Sequence, residues 1–480
     1  MLSPHPGDAA PVDQAALALA SARAAYETGD ASLALDALRR LRAGFPDSPV
    51  VTDSFSLGIE IALSAGDEYL ARYFLQKLLA AAPGSAASFR SSMLLAQHCY
   101  GTRSFLAALE YYGDAVQNAP PGAEGLRADL DIALLRSAEL SLYHANDTAA
   151  ARDYFRRIRG SDLSGADAQL YRTLRVRLVW DRITAADLGL GDSNVSSLRA
   201  DGDDLWVGTW NGGIARYSVS SDRSDPFPAP AFTRAIEVAD RRVWVGTAEG
   251  LAWYGKSTGR WGSVPDFQFP SARKVQAVKA AAGSLYAGTL GDGLFRLSAD
   301  AWEEVSDGDL PGRFINCIAE DPRSGDLLIG TMSLGLIILE PSTGEMRSLS
   351  EIVPWFTSAN VTTILPDGEG RVWIGTYGDG LSLWSRADGT VRRFSKASGE
   401  IGDDWILASC ETARAVYFGS FGGGVSAFLK GTASWRRYGI ADGLASLDVA
   451  AIAWRDPYVF FGTLGAAVNV YDEAADGAAP

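Results

Sequence analysis

A strand ending in Gly-Thr or Gly-Ser recurs seven times in the second part of this chain, and nothing else in the sequence restricts its fold as tightly. The segments LWVGT, VWVGT, LYAGT, LLIGT, VWIGT, VYFGS and VFFGT place their glycines at Gly208, Gly246, Gly288, Gly330, Gly375, Gly419 and Gly462. The intervals are 38, 42, 42, 45, 44 and 43 residues. Each segment is rich in aromatic and β-branched residues, as a strand requires. Most run through a Gly-rich turn, such as Gly291-Asp292-Gly293 or Gly378-Asp379-Gly380, into a second short strand. A further strand precedes each copy, for example NVSSLRA, KVQAVKA or NVTTILP, and a fourth, such as TVRRF or SWRRY, follows. Four-stranded units at this period build a β-propeller, here of seven blades. The last blade, ending near Tyr471, lacks its own fourth strand. The segment RLVWDRIT, ending at Thr184, resembles SWRRYGI, so it is expected to complete that blade from the opposite end of the propeller sequence.

The first 180 residues belong to another class. All thirteen Trp lie at or beyond Trp180, whereas the earlier part is rich in Ala and Leu. Pro46, Pro83 and Pro120 are spaced 37 apart. Gly29-Asp30 leads to Ala34, Leu38, Leu41 and Pro46, and Gly66-Asp67 leads to Ala71, Leu75, Leu78 and Pro83. Looser third and fourth copies carry Ala96, Ala108, Tyr112, Ala115 and Pro120, then Ala138, Asn146-Asp147, Ala151 and Phe155. Gly ends a helix and Asp caps the next; small Ala residues let paired helices approach, and Pro stops the second helix. The fold class is therefore multidomain, α then all-β: a helical-repeat solenoid followed by the propeller. We expect a disordered leader at 1–11, helical repeats with a capping helix at 12–176, the propeller at 177–475 and a disordered tail at 476–480.

The helical part resembles tetratricopeptide repeats, with a period of 37 rather than 34. That resemblance implies a right-handed superhelix whose concave face holds peptides or partner helices. The later part resembles the two-component regulator propeller repeats, most clearly over Asn360–Trp384 with its VWIGT and GDG elements. Such repeats form extracytoplasmic sensing domains in bacterial hybrid sensor kinases, so the resemblance implies ligand or partner recognition in a periplasmic or extracellular setting. No kinase or DNA-binding segment accompanies them here. The Gly-His and Trp-Asp marks of WD repeats are missing as well.

Charge and composition narrow the chemistry. The chain is 480 residues long with 43 Lys+Arg and 58 Asp+Glu, a net charge of −15. Residues 1–180 hold 17 basic and 20 acidic side chains, or −3, leaving −12 for the remainder. Neither part offers the basic face that a nucleic-acid partner needs. Arg152, Arg156, Arg157 and Arg159 cluster locally, as a solvated helix face does. The three Cys (Cys99, Cys317, Cys410) have no metal-binding or disulfide spacing, and the three His all lie before Trp180. No apolar run is long enough to span a membrane. The opening MLSPHPGDAAPVDQ has no signal pattern and reads as a lead-in or as a stub left by processing. No cofactor, metal or catalytic residue is expected. Asp403-Asp404 beside Trp405 is the best carboxylate pair for acid–base chemistry, but adjacent loop acids are usually solvated.

Candidate binding residues follow from propeller geometry, which puts the loops after the second and fourth strands on one face. The residue after each Gly-Thr/Ser step is Trp210, Ala248, Leu290, Met332, Tyr377, Phe421 or Leu464. Asn211, Asp292 and Asp379 stand beside them, and Trp355, Phe356 and Trp405 come from the other loop set. These side chains form either an interaction rim or packing between blades. The reading is a non-enzymatic scaffold or assembly factor, the helical concave face and propeller rim each binding a protein partner. The alternative is an extracytoplasmic sensor taking a glycan or small ligand on the aromatic face.

Overall fold

The computed structural model describes residues 11–122, 124–159, 163–227, 232–264, 274–298, 301–305, 313–354 and 356–476. The chain divides into two compact units, one of helices and one of strands. The expected leader, apart from Pro11, and residues 477–480 of the expected tail lie outside the described residues. Asp476, expected in that tail, is instead buried, because its carboxylate takes Arg175 Nε at 2.5 Å.

The helical unit pairs α1 (Pro11–Glu27) with α2 (Ala31–Gly44), α3 (Val50–Ser64) with α4 (Glu68–Ala81), α5 (Ala86–Gly101) with α6 (Phe105–Gln117), and α7 (Arg127–Tyr143) with α8 (Thr148–Arg156); α9 (Gly165–Val179) follows. The turns are built as the Gly-Asp pairs require. Gly29 and Gly66 take φ of +91° and +74°, and Asp30 and Asp67 accept the backbone N–H three residues on, each at 2.9 Å. Asp147 caps α8 in the same way, with Asn146 in the left-handed region. In the third copy Arg103 adopts φ +62° in glycine's place, so the turn survives without its sequence mark. Ala34, Ala71, Ala108 and Ala151 are fully buried where paired helices meet.

In the second unit, the strands among the described residues form seven four-stranded antiparallel sheets. Six are consecutive in sequence. The seventh joins Val449–Arg455, Tyr458–Thr463 and Ala467–Asp472 to Trp180–Ile183, with Trp180 opposite Tyr471 and Ile183 opposite Val468. The ring is thus closed by the segment expected to close it. Trp180 packs its indole against Tyr471, Phe461 and Tyr438, at centroid distances of 4.9, 5.8 and 5.9 Å.

The Gly-Thr step has a packing cause. A Cβ on Gly208, Gly246, Gly288, Gly330, Gly375, Gly419 or Gly462 would sit within 3 Å of Thr233, Val275, Ile315, Val361, Ile406, Val449 or Val195 respectively. Each of those residues opens the inner strand of the next blade, so glycine is what lets neighbouring blades meet. The Thr or Ser that follows is buried, and its hydroxyl donates across the turn to a backbone carbonyl, as Thr376 does to Gly380 at 2.8 Å.

Candidate functional site

The loops that carry the predicted residues are fixed by a main-chain bond repeated in every blade. The N–H after the Gly-Thr/Ser step donates to the carbonyl of the residue just before the inner strand: Trp210 to Asn194, Ala248 to Phe232, Leu290 to Lys274, Met332 to Phe314, Tyr377 to Asn360, Phe421 to Trp405 and Leu464 to Asp448. The Gly-x-Gly turn then reaches the following blade. Gly378 and Gly380 both donate to Asp404 O, at 3.1 and 3.0 Å, and Gly291 and Gly293 donate to Arg313 O. Backbone geometry therefore holds the rim residues whatever their side chains are, and the side chains are free to serve recognition.

Trp210, Met332, Tyr377, Trp405 and Phe421 are all exposed, at 38 to 47% of their surface. Asn211 and Asp379 are exposed beside them, while Leu290 and Asp292 are half-buried. Trp355 lies outside the described residues. Phe356 does not reach the rim: it is buried, packing with Leu349 and Val353 in the core between blades. The apolar turn around it makes burial the cheaper state.

Three of the predicted residues come together. The Tyr377 ring stacks on Trp405 at 4.4 Å with planes 23° apart, and Trp405 lies 5.7 Å from Phe421 at 30°. This makes one aromatic arc across two adjacent blades. Trp210 stands apart, on the first blade, with the Arg234 guanidinium 5.9 Å from its ring. Sequence reasoning missed Phe314 and Phe232, exposed at 47 and 41%, and Leu334 and Leu447. Phe314 bridges to Leu290 as Trp405 bridges to Tyr377. The available signal was position: Phe232, Phe314 and Trp405 each stand immediately before an inner strand.

Beneath the rim, each inner strand carries a bulge at its second residue: Ser196, Arg234, Gln276, Asn316, Thr362, Leu407 and Ala450. Ser196 Oγ donates to Thr233 O, Asn316 Nδ2 to Val361 O and Thr362 Oγ1 to Ile406 O. These bonds tie one blade to the next, so the ring of bulges is a structural belt under the rim.

The carboxylate pair is also committed to structure. Asp403 meets Lys396 Nζ at 2.8 Å and accepts the Trp405 N–H at 3.1 Å; Asp404 accepts the Lys396 N–H at 2.7 Å. Burial alone would raise the Asp403 carboxyl, but the bonds from Lys396 and the Trp405 backbone outweigh it and hold it below the usual carboxylate range. A general acid needs the opposite shift. Among the described residues no cluster of His, Cys, Asp or Glu is placed to hold a metal ion.

Residues 356–378 match the two component regulator propeller repeat, and residues 15–48 match a tetratricopeptide repeat. The chain carries both repeat types. Proteins built of these repeats are typically non-catalytic. Solved structures of similar fold include the extracellular domain of a putative hybrid two component system from B. thetaiotaomicron, 16% identical, with a TM-score of 0.51 over 62% of this chain and 42% of that one. Another is the extracellular domain of a putative one component system from the same organism, 19% identical, TM-score 0.50, covering 61% of this chain and 40% of that one. This chain thus spans about two fifths of the length of either. No curated protein matches the sequence. No described helix is long and apolar enough to cross a membrane. The regulator-propeller match ends at Gly378, so it includes Tyr377 of the aromatic arc but neither Trp405 nor Phe421.

Proposed function

We propose that the chain is a non-enzymatic interaction module in which the propeller rim and the tetratricopeptide unit engage separate protein partners, in an extracytoplasmic compartment. The observation that carries the rim assignment is the Tyr377–Trp405–Phe421 arc, stacked, exposed and set on loops whose backbone is fixed independently of it. Exposed stacked aromatics of this size supply interface hot spots, since they bury large area at little entropic cost. The regulator-propeller likeness is what supports the compartment. A glycan or small ligand stacked on the same rings is the second reading, favoured by the exposed, stacked Tyr377 and Trp405 rings.

Affinity capture from the cells that make the protein tests this, using the full chain and a Y377A/W405A/F421A variant. We expect a stoichiometric protein retained by the first and lost from the second, with melting temperatures within a few degrees. Equal retention on both, or binding of the rim to a glycan array with no protein partner, overturns the scaffold reading.

A further inference from the structure

A second feature, on the helical unit, rests on the part of that reading that gives this unit its own protein partner and not on the rim. A cleft of about 620 Å³ lies between α2 and α4, floored by α3. Because α3 packs on α1 and α5 in one layer, the cleft opens on the layer of second helices, α2 and α4. Arg42 projects into it from α2. Its guanidinium lies 4.9 Å from the Phe55 ring and 4.8 Å from the Phe74 ring. Its polar contacts are long ones, to Ser54 O at 3.3 Å and Ser54 Oγ at 3.5 Å. No carboxylate among the described residues pairs with it, and burial pushes its pKa down, the mark of a cation short of compensating charge.

The surroundings extend the same character. Lys77 on α4 stands 5.5 Å from the Tyr73 ring and is exposed, again with no carboxylate partner among the described residues. Asp36, the nearby acid on α2, is already engaged by Arg39 and Arg40. Leu35 and Leu70 flank the cleft and are half-buried. A guanidinium packed against aromatic rings keeps its N–H edge for a planar acceptor, and a carboxylate is the acceptor that matches that fork.

We propose that this cleft binds an acidic segment of a partner protein, seating a carboxylate on Arg42 and Lys77 and an apolar side chain against Leu35 and Leu70. The charge of the cleft is the argument: two unpaired cations over an apolar floor in a chain whose overall charge is −15. The site stands independently of the propeller rim.

Selection of phage-displayed peptides on the immobilised full chain, with counter-selection on an R42Q/K77Q variant, tests it. The expected survivors carry Asp or Glu beside Leu, Ile or Phe and bind the unaltered chain. Their affinity falls about tenfold or more in R42Q/K77Q and weakens as salt rises. It is unchanged in Y377A/W405A/F421A. Survivors without acidic residues, equal binding to R42Q/K77Q, or no survivors at all would overturn the proposal. Should Arg42→Gln impair folding, K77Q alone, on an exposed side chain, must weaken the selected peptides, and the charge-keeping Arg42→Lys must still bind them.

Discussion

The glycine of each Gly-Thr step and the hydroxyl beside it act at the scale of single atoms. At Gly375 a Cβ would stand 2.6 Å from Thr363 Cγ2 and 2.7 Å from Ile406 Cγ2, with no flexible group to give way. Gly375→Ala is therefore expected to cost about 1–3 kcal/mol by overpacking, read as a fall in the denaturation midpoint. Thr376→Val keeps the shape but strands the Asp379 N–H and leaves the Gly380 carbonyl with the Thr376 N–H alone, and should cost a further ~1–3 kcal/mol. If the valine variant unfolds like the unaltered chain, the hydroxyl has no structural role. The thiols give a pH test. Burial pushes Cys317 and Cys410 up to about 12, above the ordinary 9.0. The unfolded chain then gives up these protons first, and the folded state holds more of them above pH 9. Stability that is full below that pH must be lost as pH rises from about 9 toward 12. Replacing both by Ser or Ala should flatten that limb of the pH–stability curve, and an unchanged limb would assign it to Cys99 and to Tyr111 and Tyr112, which burial pushes up likewise.

At the scale of elements, local chemistry governs where the helices begin. Asp67 accepts the Leu70 N–H at 2.9 Å ahead of α4, so Asp67→Ala should lower stability by about 1 kcal/mol while Asp67→Ser or Asp67→Asn recovers most of it. A loss that all three substitutions share would point to a role other than capping. These signals were legible in the sequence because each is a residue type that the backbone itself demands. Gly29 and Gly66 supply positive φ, the Asp after each supplies the cap, and the glycine of each Gly-Thr step admits the next blade. The third helical turn was harder to read, since Arg103 holds positive φ through its setting rather than its type. The rim was legible only in part. Residues after Gly-Thr are placed by register, so Tyr377 and Phe421 could be named from spacing alone. Phe314 and Phe232 close the connections that precede inner strands, a position readable only once the strand starts are fixed. Phe356 illustrates the same limit from the other side: an aromatic in such a connection turned inward, because an apolar pocket formed by Leu349 and Val353 was there to receive it.

Closure is a property of the whole molecule, since it joins stretches of chain nearly three hundred residues apart. Blade-to-blade contacts repeat around the ring, but one seam alone depends on a strand from the far end of the propeller. That seam is Trp180–Ile183 on Ala467–Asp472, supported by the Tyr438–Tyr471 hydroxyl pair at 3.1 Å. Beside it, Arg455 on the last blade holds Asp203 at 2.8 Å and Gly202 O at 2.9 Å on the first. The entropy of bringing those ends together is lost once, and only while the closing strand stays paired. Local opening should therefore start there. Trp180→Ala removes the indole that Tyr471, Phe461 and Tyr438 surround, a change expected to cost about 3–5 kcal/mol. Its effect on amide exchange distinguishes a seam from an ordinary core site. Residues 180–183 and 467–472 should lose protection together, while the strand Leu327–Thr331, across the ring, keeps its own until global unfolding. Trp373→Ala, at another buried indole but within an unbroken blade, should instead lower protection around the ring without singling out the closing strand. If both variants give the same exchange pattern, the ring unfolds as one cooperative body and its closing strand is no weaker than any other.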